Sequence, residues 1–293
     1  MERKHMDAEY IEKSINNADK LINKYILHSR RFIQYTCFPY GYTRLHAIGK
    51  IDISYVWDFE YFVFTKSTKS LVGIRTLLKQ NNNEDVLILL RSIFENYLAS
   101  RYFSEKVEED DMKHIQDFVF IPHFLSNRIY YHDGENTVKT RGGKAIDYTQ
   151  LQPSELRLGK DKKYFHDLYG FLCEYVHCNF GTIGNYMEEN QYYTADKNDN
   201  PLLTRVLTIF VYTKLFESIV TVEGEDFINE TAEKNCYNLV KDANIFLHDV
   251  LDNLTKHEII ANKYYLKHIK SMFKNMKKSL TEEIGSLNKD FLK

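Results

Sequence analysis

The amino-acid sequence predicts an all-α protein, a multi-helix bundle of roughly eight helices that ends in a C-terminal amphipathic helix. Two observations carry that expectation. Apolar residues recur at steps of three and four through most of the chain, beginning with Ile11, Ile15, Ala18, Ile22 and Tyr25. Only four prolines and twelve glycines punctuate 293 residues, so long unbroken helices are allowed almost everywhere.

The elements follow in order. The first helix carries the Ile11–Tyr25 stripe and breaks at Phe38-Pro-Tyr-Gly41. The aromatic block Ile51–Phe64 reads as helix or strand, and a helix follows over Ser67–Lys79. Asn81-Asn-Asn83 stops that helix and caps the next, with Asn83 as N-cap and Glu84 and Asp85 at the positive end of the dipole. A strongly apolar helix spans Val86–Tyr102, followed by an acidic, solvated run over Glu105–Asp111. One more helix is expected from Met112 to Tyr131 despite Pro122, then a turn at His132–Asn136 and a surface loop from Thr137 to Gly159. A helix covers Lys162–His177, and Asn179–Asn200 reads as loop. Pro201 opens a helix to Val222 that closes near Gly224, and another spans Thr231–Leu254. The last carries Tyr265, Ile269, Met272, Met276, Leu280, Ile284, Leu287 and Phe291, with lysines between them. We expect an N-terminal helical segment over 1–64, a core helical domain over 65–255 and a C-terminal amphipathic arm over 256–293. That arm's heptad-like spacing suits packing against the body, a partner protein or a second copy in a homo-oligomer.

Composition narrows the function classes. Hydrophobic content of 43% against 27% charged is ordinary for a globular protein, and a net charge of −2 gives no basic field for broad nucleic-acid binding. No apolar run approaches the ~18 residues that cross a bilayer, so no membrane partner is expected. The opening MERKHMDAEY is charged where a secretory leader turns apolar, and Cys37, Cys173, Cys178 and Cys236 are scattered, which together suggest a reduced, cytoplasmic setting. There is no CxxC, Walker loop or GxGxxG, and no cofactor is expected.

Chemistry gathers on two helices. Arg91 and Glu95 lie four apart on one face, opposite a solid arc of Leu87, Leu90, Ile93, Phe94, Tyr97 and Leu98. Few solvating charges accompany the pair, which suggests partial enclosure. On the helix that ends in GFLCEYVHCNFG, the residues His166, Gly170, Cys173, Glu174 and His177 share one arc, while Phe165, Leu168, Phe171, Leu172, Tyr175 and Val176 take the other side. His166 and His177 are about 16 Å apart along the axis, too far to share a metal ion. Cys173 and His177 with Glu174 could reach zinc, and Glu174-Tyr-Val-His177 with Glu95 is half of a di-iron pattern. The rest of either ligand set is absent, and Asp111-Met-Lys-His114 is a poor substitute. A metal-free reading fits better: a histidine to move a proton, an arginine to fork a phosphate, and a carboxylate to orient one of them. That set suits RNA cleavage through its 2′-hydroxyl, with His177, Arg91, Glu95, Glu174 and His166 as candidates. The alternative is a structural network that fixes helix register in a non-enzymatic sensor or scaffold.

Leu90-Arg-Ser-Ile-Phe-Glu95 and Leu172-Cys-Glu-Tyr-Val-His177 make the chain resemble a bacterial all-helical family of unknown function, whose members show an Arg-Ser-x-x-Glu helix and a Ser-Glu-Tyr-x-His-like helix end. The likeness covers roughly residues 65–250, with Cys173 where serine is usual. It implies a helical fold and a polar cluster, and a setting among phage-defence and abortive-infection proteins. More distantly the chain resembles the HEPN ribonucleases, which use Arg-x4–6-His on one helix. No arginine here has that spacing, Arg128-x3-His132 being nearest, so Arg and His would have to come from two helices.

Overall fold

A computed structural model of the chain describes residues 8–35, 54–108, 112–150, 163–188, 192–197, 200–220, 230–257 and 266–290. The Phe38–Gly41 break, Cys37, Asp111, Gly224, Tyr265 and Phe291 lie outside them, as do the side chains of Ile284 and Leu287. The fold is all-α. Among the described residues the α-helices are α1 (Ala8–Tyr35), α2 (Ser54–Lys79), α3 (Asn83–Glu108), α4 (Met112–Ile115), α5 (Ile121–Ser126), α6 (Lys163–Val176), α7 (Pro201–Val220), α8 (Glu230–His257) and α9 (Leu266–Asp290). The chain divides into two compact units, one of residues 1–36, 66–94 and 161–293, the other of 37–65 and 95–160.

The first unit is built around α7. Every residue from Leu202 to Phe216 is buried, so this helix is covered on all sides rather than on one stripe. Helices α1 and α8 pack on α7, and α9 packs on α8 and α6. A helix so enclosed must satisfy its polar side chains internally. The Tyr212 hydroxyl meets Ser29 Oγ of α1 and Thr68 Oγ1 of α2, each at 2.8 Å, and Thr213 Oγ1 meets the Tyr25 hydroxyl at 2.6 Å. Arg205 Nε donates to Asp19 Oδ1 at 2.8 Å, and its other nitrogens donate to the Pro201 and Leu78 carbonyls.

Burial holds the Tyr212 phenol above its ordinary value near 10, up to about 12, and pushes Tyr25 up as well. The unfolded chain therefore releases these protons first as pH rises, and stability present below about pH 10 is lost as pH climbs toward 12. Tyr212 alone accounts for about 3 kcal/mol of that loss. A Tyr212→Phe variant is expected to be less stable at neutral pH, by about 1–3 kcal/mol, because two hydroxyls lose a partner. Its fall in urea midpoint between pH 9 and 11 is expected to be shallower than the parent's. Parallel alkaline slopes for the two proteins would contradict this account.

One expectation in this unit changes. The N-cap of α3 is Asn82, not Asn83: the Asn82 carbonyl accepts the Val86 N–H, and Asn82 Nδ2 donates to Asp85 Oδ2 at 2.7 Å, closing a box over the first turn. Asn81 supplies the left-handed turn between the helices, with φ 59°. In α9, Ile269, Met272, Phe273, Met276 and Leu280 are buried, and Lys277 pairs with Asp252 of α8 at 2.6 Å. The described apolar side of the C-terminal helix is thus covered by its own chain.

The aromatic block before Ser67 is helical, and α2 runs unbroken from Ser54 to Lys79. Phe64, Thr68, Leu71, Ile74 and Leu78 are all buried at helical spacing, and this packing outweighs the strand preference of an aromatic segment.

In the second unit, the expected helix over Met112–Tyr131 is present but carries a π-turn and ends at Ser126. Pro122 cannot give an N–H to the Phe118 carbonyl, and the turn before it widens into a π-helix over Gln116–Phe120. This brings Val119 and Phe120 onto Phe103, while Asp117 Oδ2 accepts the Thr149 N–H at 2.9 Å. The expected turn and loop after it hold a small antiparallel sheet: β1 (Tyr131–His132), β2 (Thr137–Lys139) and β3 (Ile146–Asp147). Val138 and Tyr148 pack with Ile121, and Gly142, at φ 75°, turns the β2–β3 connection. The expected loop between Asn179 and Asn200 likewise contains a 3₁₀ helix over Phe180–Tyr186 and a bridge from Met187 to Tyr193.

Candidate functional site

On α3 the apolar arc from Leu87 to Leu98 is buried, leaving Ile88 exposed and Arg91 and Glu95 half-buried along the opposite stripe. On α6, Phe165, Leu168, Phe171 and Leu172 are buried, and the Phe94 and Phe165 rings meet edge-on at 5.7 Å. Val176, expected on the covered side, is 38% exposed because the helix ends there. The next residue is His177, whose N–H bonds the Cys173 carbonyl at 3.2 Å. Asn179 then accepts the Gly181 N–H and starts the 3₁₀ helix.

These two helices bring Arg91 and His177 together. Arg91 Nη1 lies 3.4 Å from His177 Nε2. Arginine carries only donors, so Nε2 turns its lone pair toward the guanidinium in this contact. Arg91 Nη2 donates to the Tyr169 hydroxyl at 3.2 Å, and the guanidinium carbon sits 5.3 Å from the centre of that ring. Arg91 and Tyr169 are half-buried, in line with the partial enclosure expected of Arg91, whereas His177 is exposed, so the cluster opens onto solvent on the His177 side.

The other candidates are placed differently. Glu174 is one turn before His177, and its Oε2 is shielded from water with no hydrogen-bond partner among the described residues. Glu95 stands one turn beyond Arg91 on α3, and its stretch of the helix belongs to the second unit. His166 is exposed near the start of α6, about 16 Å along the axis from His177. Among the described residues, no three His, Cys, Asp or Glu side chains gather closely enough to hold a metal ion, so Cys173, Glu174, His177 and Glu95 do not converge as the zinc and di-iron patterns would need. Sequence reasoning missed Tyr169. Its signal was the i, i+4, i+8 stripe with Cys173 and His177, at the edge of the polar arc.

In a comparison with known families, residues 61–152 are similar to a family of unknown function, DUF5677. That stretch contains Arg91, Ser92 and Glu95 and ends before Tyr169 and His177. No curated protein and no solved structure matches the chain. No helix among the described residues is long and apolar enough to cross a membrane.

Proposed function

We propose that the chain is an RNA-cleaving effector of the toxin or defence type, acting without a metal ion at the Arg91–His177 cluster. The 3.4 Å contact between these two side chains carries the reading, because a phosphate forked by Arg91 would lie beside the imidazole. In this scheme His177 Nε2 takes the proton of a ribose 2′-hydroxyl as its oxygen attacks phosphorus. The bond to the 5′-oxygen breaks, leaving a 2′,3′-cyclic phosphate, and the departing oxygen takes a proton from solvent. Arg91 offsets the charge that builds on the phosphorus oxygens, and Tyr169 keeps the guanidinium in place. Glu174 is the carboxylate best situated to orient the histidine, one turn away on the same helix. The arrangement resembles HEPN chemistry with its arginine and histidine drawn from two helices.

A second reading has its own observation. Arg91 both donates to Tyr169 and stacks on its ring, which makes a latch between α3 and α6 in a non-enzymatic sensor or scaffold. A single experiment separates the two: incubation of the purified chain with a short mixed-sequence RNA in excess chelator. The ribonuclease reading expects cleavage that falls at least about 100-fold in Arg91→Ala. Arg91→Lys, which keeps charge without the fork, should recover only part of it. Absence of cleavage by the parent, with a lowered melting temperature in Arg91→Ala, would favour the latch.

A further inference from the structure

Two helical turns before Arg91, α3 meets the segment that follows His177, and a cavity of about 460 Å³ lies between them. That size is within the range of small-molecule sites. Its lining includes Asn82, Glu84, Asp85, Tyr186, Tyr193 and Lys197. Lys197 Nζ donates to the Gly184 and Met187 carbonyls at 2.6 and 2.9 Å, bracing the segment that carries Tyr186. Tyr193 lines the cavity and is 72% exposed, which leaves most of its ring surface uncovered by the chain.

Charge decides which ligand. Glu84 and Asp85 line the same space as Tyr186, and burial, followed by the charge of these two carboxylates, raises the Tyr186 phenol. Their field is opposed in part by the Lys197 ammonium and by the positive end of α3, which reduces the advantage of a fully charged cation. A neutral, flat group rich in N–H donors fits the remaining chemistry: rings to stack on and carboxylates to receive hydrogen bonds. Glu84 and Arg91 are seven residues apart on one stripe of α3, about 10 Å along the axis. That spacing is within the reach of one nucleotide from its phosphate to its base edge.

We infer that this cavity is a base-recognition pocket for guanine, whose adjacent N1–H and N2–H donors would meet the Glu84 and Asp85 carboxylates while Tyr193 stacks on the ring. The inference rests on the RNA-cleavage reading for the position of the phosphate, but base binding can be measured without cleavage. Titration calorimetry of the full chain with the 3′-monophosphates of guanosine, adenosine and cytidine, and with spermidine, tests it. The guanosine nucleotide should bind at least about tenfold more tightly than the others, and Tyr193→Ala and Glu84→Gln should each remove that preference. Equal affinity for the three nucleotides, unchanged preference in both variants, or spermidine binding that Tyr193→Ala abolishes would overturn the inference. Guanosine binding without any RNA cleavage would keep the pocket and remove the ribonuclease reading. Cleavage indifferent to the base beside the cut would do the reverse.

Discussion

His177→Ala is expected to lower RNA cleavage by about 10²–10⁴-fold while leaving the circular dichroism spectrum and melting temperature of the protein unchanged. The size follows from what a positioned proton acceptor contributes to phosphate-ester cleavage. The intact fold follows from position: His177 is exposed in the turn after α6, and the apolar side of that helix is held by Phe165, Leu168, Phe171 and Leu172. Loss of cleavage accompanied by unfolding would point to a structural role. Cleavage within about threefold of the parent would exclude His177 from the reaction. His166→Ala is the matched control, since it removes an exposed imidazole from the same helix far from Arg91, and it should have little effect.

Arg205→Met is expected to be the most damaging substitution for stability, at about 3 kcal/mol. Arg205 is 5% exposed and joins three elements: its guanidinium donates to Asp19 of α1, to the Leu78 carbonyl at the end of α2 and to the Pro201 carbonyl of its own helix. Methionine fills similar volume but leaves Asp19 and two carbonyls short of a donor. Arg75 Nη1, 3.3 Å from Asp19 Oδ2, keeps part of the charge compensated and holds the loss to the lower end of the range for a broken buried pair. In a chain of this size the melting temperature should fall by about 6–12 °C. A shift below about 2 °C would mean that the α1–α2–α7 junction does not depend on this arginine.

The helical architecture was legible because burial and spacing agree: the Ile22 and Tyr25 stripe, the Leu87–Leu98 arc and the Ile269–Leu280 ladder all became buried faces. Where tertiary packing decides, the sequence pattern gave less. α7 has no polar side to read, and its central place follows from neighbours distant in the chain. The sheet over Tyr131–Asp147 was invisible because its strands are two or three residues long and only Val138 among them is buried, too little for an alternation. Pro122 was expected to sit inside one helix, and the π-turn that accommodates it, with Val119 and Phe120 packed on Phe103, involves a residue outside that segment. At the candidate site, Arg91 and His177 stood out as polar residues on sparsely charged faces. Their approach to 3.4 Å depends on how Phe94 seats on Phe165, which no single helix encodes. Tyr169 was hidden for a related reason, since a tyrosine beside an apolar arc looks like filler until an arginine lies on it.

The chemistry proposed for the cluster would leave a mark on its product. Analysis of the RNA ends produced by the purified chain in excess chelator should find a 2′,3′-cyclic phosphate on one fragment and a 5′-hydroxyl on the other, both missing with His177→Ala. Fragments ending in a 3′-hydroxyl and a 5′-phosphate, or intact RNA throughout, would contradict the account.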